Sequence, residues 1–453
     1  MLTMLESTTD NNCGDFQVPN EHCENLLSIG NHSVKYLCEQ NSDLLIFPQS
    51  LGKYDDGIEK SPIFSLYDNN LTTYNIMGFV GKNETQLTIS SRFAKDDKHD
   101  YFLHYMLQKV FSINLLKFDQ TPDKENIWDF LLYLFPYYLK KAYAQGLYKA
   151  YRREEYNDAN VKGAIDVKRH IRINIPFCGK IAYTTREHSH DNAVNQLIRH
   201  TIEHIKTHPF GSGILTSDSE TRDIVSKFCF VTQNSYKKND QQKIITANIK
   251  PVSHPYFTEY KMLQKICLRI LKREKLTFGA EKDKIYGLLF DGAWLWEEYL
   301  NTILKSDFEH LKKETGKRYL LFEKEGKSFQ QIVPDFINKT TPVIIGDAKY
   351  IPLNSQKEYN ESSEKALSIY YKTITYMYRF NSDYSFLLFP HPETPFDETY
   401  TIKETNGILR KLGLAIPQQV DDFTDFCGQM KLSEENFEEK IKILLHYDTV
   451  TTK

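Results

Sequence analysis

The chain has 453 residues, enough for two or three domains that each bury a core. Hydrophobic residues make up 40% and charged residues 26%, a folded soluble composition that excludes both a disordered chain and a membrane-embedded one. A formal net charge of −3 excludes nucleic-acid capture by overall charge, so any such role needs a local basic groove or a partner that delivers the nucleic acid. The 29 tyrosines and 28 phenylalanines are expected mainly as packing residues. Seven cysteines (Cys13, Cys23, Cys38, Cys178, Cys229, Cys267 and Cys427) include no C-x-x-C pair and are odd in number, so reduced thiols are expected rather than a disulfide framework or zinc site. The polar start MLTMLESTTDNNCG is unlike a signal peptide, and no apolar run is long enough for a bilayer. The expected location is cytoplasmic.

In chain order, residues 1–30 are polar and expected to be loosely ordered. Alternating runs between Tyr74 and Phe93 predict strands joined by turns. Helices are expected from Asp97 to about Leu116 and from Trp128 to about Tyr151, then from Asp191 to about Lys206, where Ala193, Leu197, Ile198, Ile202 and Ile205 fall at helical spacing. Residues 209–218 read as a loop, and helical patterns resume at Ser219–Asn234 and Tyr256–Glu274. His188 and His190 at i, i+2 are weak metal ligands, and Ser189 or Asp191 as a turn or helix cap fits better. The charged stretch Lys272–Lys284 marks the expected boundary, giving an N-terminal region at 31–272, β-rich then helical, and a last domain at 273–453. That last domain is expected to run helix (Ile285–Leu311), strand (Tyr319–Lys324), hairpin (Gln330–Tyr350), helix (Ser363–Arg379), strand (Tyr384–Phe389) and final helices. The predicted fold class is α/β, α+β overall, with a mixed sheet flanked by helices in the last domain.

The chemistry concentrates in QIVPDFINKTTPVIIGDAKY, Gln331 to Tyr350. Residues i and i+2 of a strand share a face, so Asp347 and Lys349 project together. In a hairpin turned near 339–341, Asp335 lies across from Asp347. Two carboxylates and an ammonium on one face suit Mg²⁺-dependent phosphodiester hydrolysis: Mg²⁺ takes one or two carboxylates plus waters and phosphate oxygens, and a lysine offsets developing charge or handles the water proton. On the preceding helical pattern Glu297 borders the apolar stripe and is a further metal-ligand candidate beside Asp335 and Asp347.

Pro334-Asp335 with Asp347-Ala348-Lys349 resembles the two halves of the PD-(D/E)xK nuclease motif. With its neighbours the segment is similar to the McrC family, nuclease subunits of McrBC-type 5-methylcytosine restriction systems. Leu295-Trp296-Glu297-Glu298-Tyr299-Leu300 resembles that family's helix before the hairpin, and Ser385–Pro390 its later strand. Lys162–Asp166 and the Asp191-Asn192-x-x-Asn195 helix start match upstream segments, so the similarity runs from about residue 70 to 390. Two departures stand out. Lys372, four residues before Tyr376, occupies a position where the family carries Gln, and Ala164 one where it often carries Arg.

The resemblance implies a Mg²⁺-dependent endodeoxyribonuclease (Mn²⁺ substituting) with catalytic Asp335, Asp347 and Lys349 and supporting Glu297, Lys372 and Tyr376. It also implies double-stranded DNA as substrate, an anti-phage restriction role, and a McrB-like AAA+ GTPase hexamer as partner. The N-terminal region would dock on that ring, with Lys162, Lys168, Arg169 and Arg172 as contact candidates. No nucleotide site is expected in this chain: Gly326-Lys327-Ser328 and Gly81-Lys82 both lack the upstream glycine of a P-loop. The alternative is a non-catalytic adaptor that anchors and activates the GTPase ring.

Overall fold

In the computed structural model, the described residues are 3–4, 8–41, 44–48, 59–94, 100–111, 124–208, 211–216, 218–272, 285–311, 319–351 and 364–447. The chain divides into two compact units, one combining Met1–Thr121 with Phe278–Lys453 and the other spanning Pro122–Thr277. This differs from a single division at 272/273, because residues up to 121 group with the C-terminal part. One strand explains the grouping. In a six-stranded sheet, β1 (Leu44–Phe47), β2 (Ile76–Lys82) and β3 (Thr85–Ser90) are joined by β4 (Ile285–Asp291), which pairs antiparallel with β2 and parallel with β1. All seven β4 residues are buried, and Ile285–Phe290 is an unbroken run without a charged residue before Asp291. Such a run looks the same in a buried helix, which is why a helix was expected from Ile285. Gly78 on β2 has φ +126°, and a Cβ there would lie 2.2 Å from the Leu288 carbonyl oxygen, so only glycine lets β2 and β4 close.

Residues 8–30 are ordered, contrary to expectation. Cys13–Gln17 pairs with Asn70–Thr73, and the helix Asn20–Leu27 buries Leu26 with Val18, Ile29, Ile63 and Leu71. Helix α1 (Tyr101–Phe111) follows; the flanking parts of the expected Asp97–Leu116 helix, 97–99 and 112–116, lie outside the described residues, as do 273–284 of the charged stretch.

After β4 come α2 (Gly292–Leu304), β5 (Phe308–His310), the hairpin β6 (Leu320–Lys324) and β7 (Lys327–Gln331), β8 (Phe336–Asn338), β9 (Ile344–Ala348), α3 (Glu364–Phe380), β10 (Tyr384–Pro392), β11 (Phe396–Thr401), β12 (Ile408–Ile416) and α4 (Phe423–Tyr447). A mixed sheet runs β5-β8-β9-β10-β12-β11, with parallel pairing only between β9, β10 and β12. Ile369 and Tyr370 of α3 pack against Leu387, Phe389 and Leu409 of the sheet. The overall fold is therefore α+β, as expected. Where final helices were expected, two strands precede the single helix α4.

In the other unit, the strands Ala164–Ile165, Ile181–Ser189 and Ala150–Asp158 form an antiparallel sheet beside the short helix Val167–Ile173. The helices Lys124–Tyr143, Ala193–Thr207, Ser219–Thr232 and Tyr260–Lys272 supply its core. The cap of Ala193–Thr207 is Asn192, whose Oδ1 accepts from the Asn195 N–H, while Ser189 takes the expected turn role, its Oγ accepting from the Asp191 N–H at 3.0 Å. Gly211–Leu215 is a short helix within the expected 209–218 loop; 209, 210 and 217 lie outside the described residues. Among the described residues no helix is long and apolar enough to cross a membrane.

Candidate active site

The β8–β9 hairpin owes its turn to Asn338, whose Oδ1 accepts from the Ile344 N–H at 2.9 Å while its Nδ2 donates to the Pro342 carbonyl at 2.7 Å. Phe336 pairs with Gly346 and Ile337 with Ile345. Continuing that register by one residue sets Asp335 opposite Asp347. Asp335 Oδ2 accepts from the Ala348 N–H at 2.7 Å, and the Lys349 N–H donates to the Leu388 carbonyl at 2.8 Å, so backbone contacts clamp both ends of the pair.

Asp347 is fully buried, and its Oδ2 lies 2.5 Å from Lys349 Nζ, an ion pair in distance whose angles fall short of a hydrogen bond. Asp347 Oδ1 is buried without a hydrogen-bond partner among the described residues. The Asp335 carboxyl is pushed well above its usual range by burial, then by the Glu297 and Asp347 carboxylates; Lys349 and Lys372 act against the shift. Burial alone would lower the Lys349 ammonium, but Asp347 and Asp335 outweigh it and hold the group above an ordinary lysine.

Lys372 on α3 is exposed, yet its charge acts on both Asp335 and Lys349, which places it at the rim of this cluster. Its Nζ stands 5.6 Å from the Tyr376 ring. Tyr376 is buried and its hydroxyl donates to the Val333 carbonyl at 3.0 Å, fastening the chain two residues before Asp335. Trp296 anchors α2 to the sheet by donating from Nε1 to the Leu388 carbonyl at 3.1 Å. Glu297, next on that helix, is 20% exposed and contacts His310 Nε2 through its Oε1. Its charge therefore reaches Asp335 while its Oε1 is held by His310, and the described residues contain no ready-made cluster of three or more metal-ligating side chains.

These donors fit a divalent cation of the Mg²⁺ type. Mg²⁺ needs only one or two carboxylates, keeping waters for the rest. Two buried carboxylates, one with an unsatisfied oxygen and the other resisting ionisation, form a site that a hard cation relieves.

Two contributors carried no signal in the sequence. His310 sits on a three-residue strand, where no periodicity marks it. Arg92 lies far along the chain; its guanidinium, paired with Asp10 at 3.1 Å, stands 4.3 Å from the centre of the Tyr350 ring beside Lys349. Gly292 on α2 makes room for that ring, since a Cβ there would lie 2.9 Å from it.

The contact candidates of the other unit divide. Lys162, Lys168 and Arg172 are exposed. Arg169 is turned inward, bonded to Glu155 and to the Tyr156 and Tyr183 carbonyls. Gly326-Lys327-Ser328 lies at the turn of the β6–β7 hairpin, with Glu325 and Gly326 at positive φ.

The fold and site define an α+β protein with a buried carboxylate–lysine cluster at the meeting of two antiparallel strands within a mixed sheet. Residues 71–390 match the family model described as "McrBC 5-methylcytosine restriction system component", and the chain belongs to that family. Among solved structures it is similar to the refined half-complex from a tetradecameric assembly of Thermococcus gammatolerans McrB AAA+ hexamers with bound McrC. There the identity is 15%, with 98% of this chain and 100% of that chain covered, at a TM-score of 0.45. The cryo-EM structure of the Thermococcus gammatolerans McrBC complex is similar at 14% identity, covering 67% of this chain and 87% of that one, with a TM-score of 0.32. No curated protein matches the chain.

Proposed function

We propose that this chain is the Mg²⁺-dependent endodeoxyribonuclease subunit of a McrBC-like restriction system, acting on double-stranded DNA with a McrB-like AAA+ GTPase hexamer as partner. The observation that carries the reading is the convergence of Asp335, Asp347 and Lys349, with Asp347 Oδ1 buried and unsatisfied. Asp335 and Asp347 would hold the cation, with Glu297 as a third carboxylate; Mn²⁺ suits the same oxygen donors. The bound ion would supply Lewis acidity at the scissile phosphate and a more acidic water.

The chain's own groups take the remaining tasks. Lys349, paired with Asp347, would offset charge that develops on the phosphate and would orient the attacking water or handle its proton. Lys372 would meet a backbone phosphate. Asp335, fixed by the Ala348 N–H, keeps one oxygen aimed by the hairpin itself.

Docking on the ring is assigned to the exposed side of the 150–189 segment. Ile165, Val167, Ile171, Ile175 and Phe177 are all more than half exposed there, beside Lys168 and Arg172. Apolar surface of this kind, rimmed by charge, marks protein–protein contact.

Plasmid cleavage with partner, GTP and Mg²⁺ tests the proposal. Asp347→Asn is expected to abolish cutting while the partner's GTPase stays stimulated. Cutting that survives the change removes the site assignment. A wild-type chain that stimulates the GTPase but never cuts is the adaptor instead.

A further inference from the structure

We infer that His310 is the positioning residue that aims Glu297 at the Asp335–Asp347 pair, making the third carboxylate part of the cation site. The inference rests on the metal-dependent reading above and names how that site is completed.

Glu297 projects from α2, whereas both aspartates stand on the β8–β9 hairpin. A glutamate has several rotatable bonds, and fixing it costs roughly 1.5–2 kcal/mol of side-chain freedom. A group that pins it beforehand moves that cost from metal binding to folding. His310 is such a group. Its side chain is 5% exposed, its ring stacks on Phe336 at 5.0 Å and 27°, and its Nε2 meets Glu297 Oε1. His310 pairs directly with Phe336 across β5 and β8, and the next residue, Leu311, donates its N–H to the Asp335 carbonyl at 2.9 Å. The strand pair that fixes Asp335 therefore also fixes the imidazole, so the two carboxylates are referenced to one backbone frame.

Glu297 is the sole polar partner of this imidazole among the described residues, because Nδ1 is buried with none. A ring kept only for packing would lose nothing as phenylalanine. The imidazole takes Oε1, and the charge of the carboxylate so held already acts on Asp335. Carboxylate ligands are commonly oriented by such outer partners, whose loss costs about 10–100-fold in metal affinity.

The test is Mn²⁺ binding by calorimetry on the full chain without DNA, with thermal melting as a folding check. His310→Phe keeps the ring on Phe336 but has no donor, and is expected to weaken Mn²⁺ binding about 10–100-fold. His310→Gln, which restores an N–H donor, is expected to recover most of that loss. In a Glu297→Gln background His310→Phe is expected to change the constant less than about twofold, since coupled residues lose their effect once the partner is gone. His310→Leu is the second variant should His310→Phe not fold. An unchanged constant in the single variant, or an undiminished loss in the Glu297→Gln background, overturns the inference. A wild-type chain that takes up no Mn²⁺ overturns the metal-dependent reading along with it.

Discussion

Glu434 on α4 gives the most direct measure of what holds α2 in place. It is buried, and its Oε1 accepts from the Tyr105 hydroxyl at 3.0 Å and the Tyr299 hydroxyl at 2.7 Å, while Lys109 Nζ lies 2.9 Å from Oε2. Tyr299 is two residues from Glu297, so this junction of α1, α2 and α4 supports the site from behind. Each tyrosine bond to a charged acceptor is worth about 1.5–3 kcal/mol. The Lys109 side chain is 37% exposed, so its ion pair adds at most about 1 kcal/mol. Because the three contacts share one carboxylate they do not add fully, and Glu434→Ala is expected to cost about 3–5 kcal/mol. Glu434→Gln keeps one carbonyl acceptor and should cost less than half of that. Urea denaturation followed by tryptophan fluorescence reads the difference, since Trp294 and Trp296 both lie on α2. The pH dependence has a defined sign. Burial and Glu434 raise both tyrosines, so their contribution is complete below the ordinary tyrosine range, near pH 10, and declines as pH climbs toward the folded-state values. A Glu434→Ala chain within about 1 kcal/mol of wild type would refute the reasoning.

Three further expectations use other instruments. Asp335→Asn should raise the melting temperature in metal-free buffer at pH 7 while abolishing cleavage. The folded-state pKa of Asp335 is raised, so its stability contribution is complete below about pH 3.9 and is lost as pH rises through the folded value; the neutral amide escapes that loss. A lowered melting temperature contradicts this. Gly292→Ala should cost about 1–3 kcal/mol by overpacking against Tyr350 and should slow cleavage more than an exposed helix change does; unaltered melting and cleavage would show that the ring can yield. Lys168→Ala with Arg172→Ala should leave melting unchanged yet weaken stimulation of the partner GTPase, whereas Arg169→Ala should lower the melting temperature; the opposite pattern removes the assigned docking face.

How much was legible depended on whether local pattern and tertiary role coincide. The β8–β9 hairpin was readable because a polar turn separates two short apolar runs, and strand periodicity alone puts Asp347 and Lys349 on one face. The helix Ala193–Thr207 was readable from its amphipathic spacing. By contrast, β4 is covered on both faces, so it shows neither period and was taken with α2 as one helix. Glu297 could be assigned to a face of α2, but its bond to His310 depends on a strand that pairs only because β8 lies beside it. Lys372 could be named from the sequence only by its resemblance position, because helical spacing carries no information on what lies beyond the helix. Its effect on Asp335 comes from how α3 crosses the sheet.

The position of β4 has a consequence for how the polypeptide is made. Its two neighbours, β1 and β2, are synthesised early, yet the strand that joins them emerges only after residues 122–277 have left the ribosome. Until then the growing chain exposes unpaired strand edges that invite association with other chains. The intervening unit, with its own core, can mature during that wait. Severing the gene before Ile285 would therefore strand the amino-terminal sheet without its middle member, and release of a lone carboxy-terminal fragment would leave β4 without either neighbour.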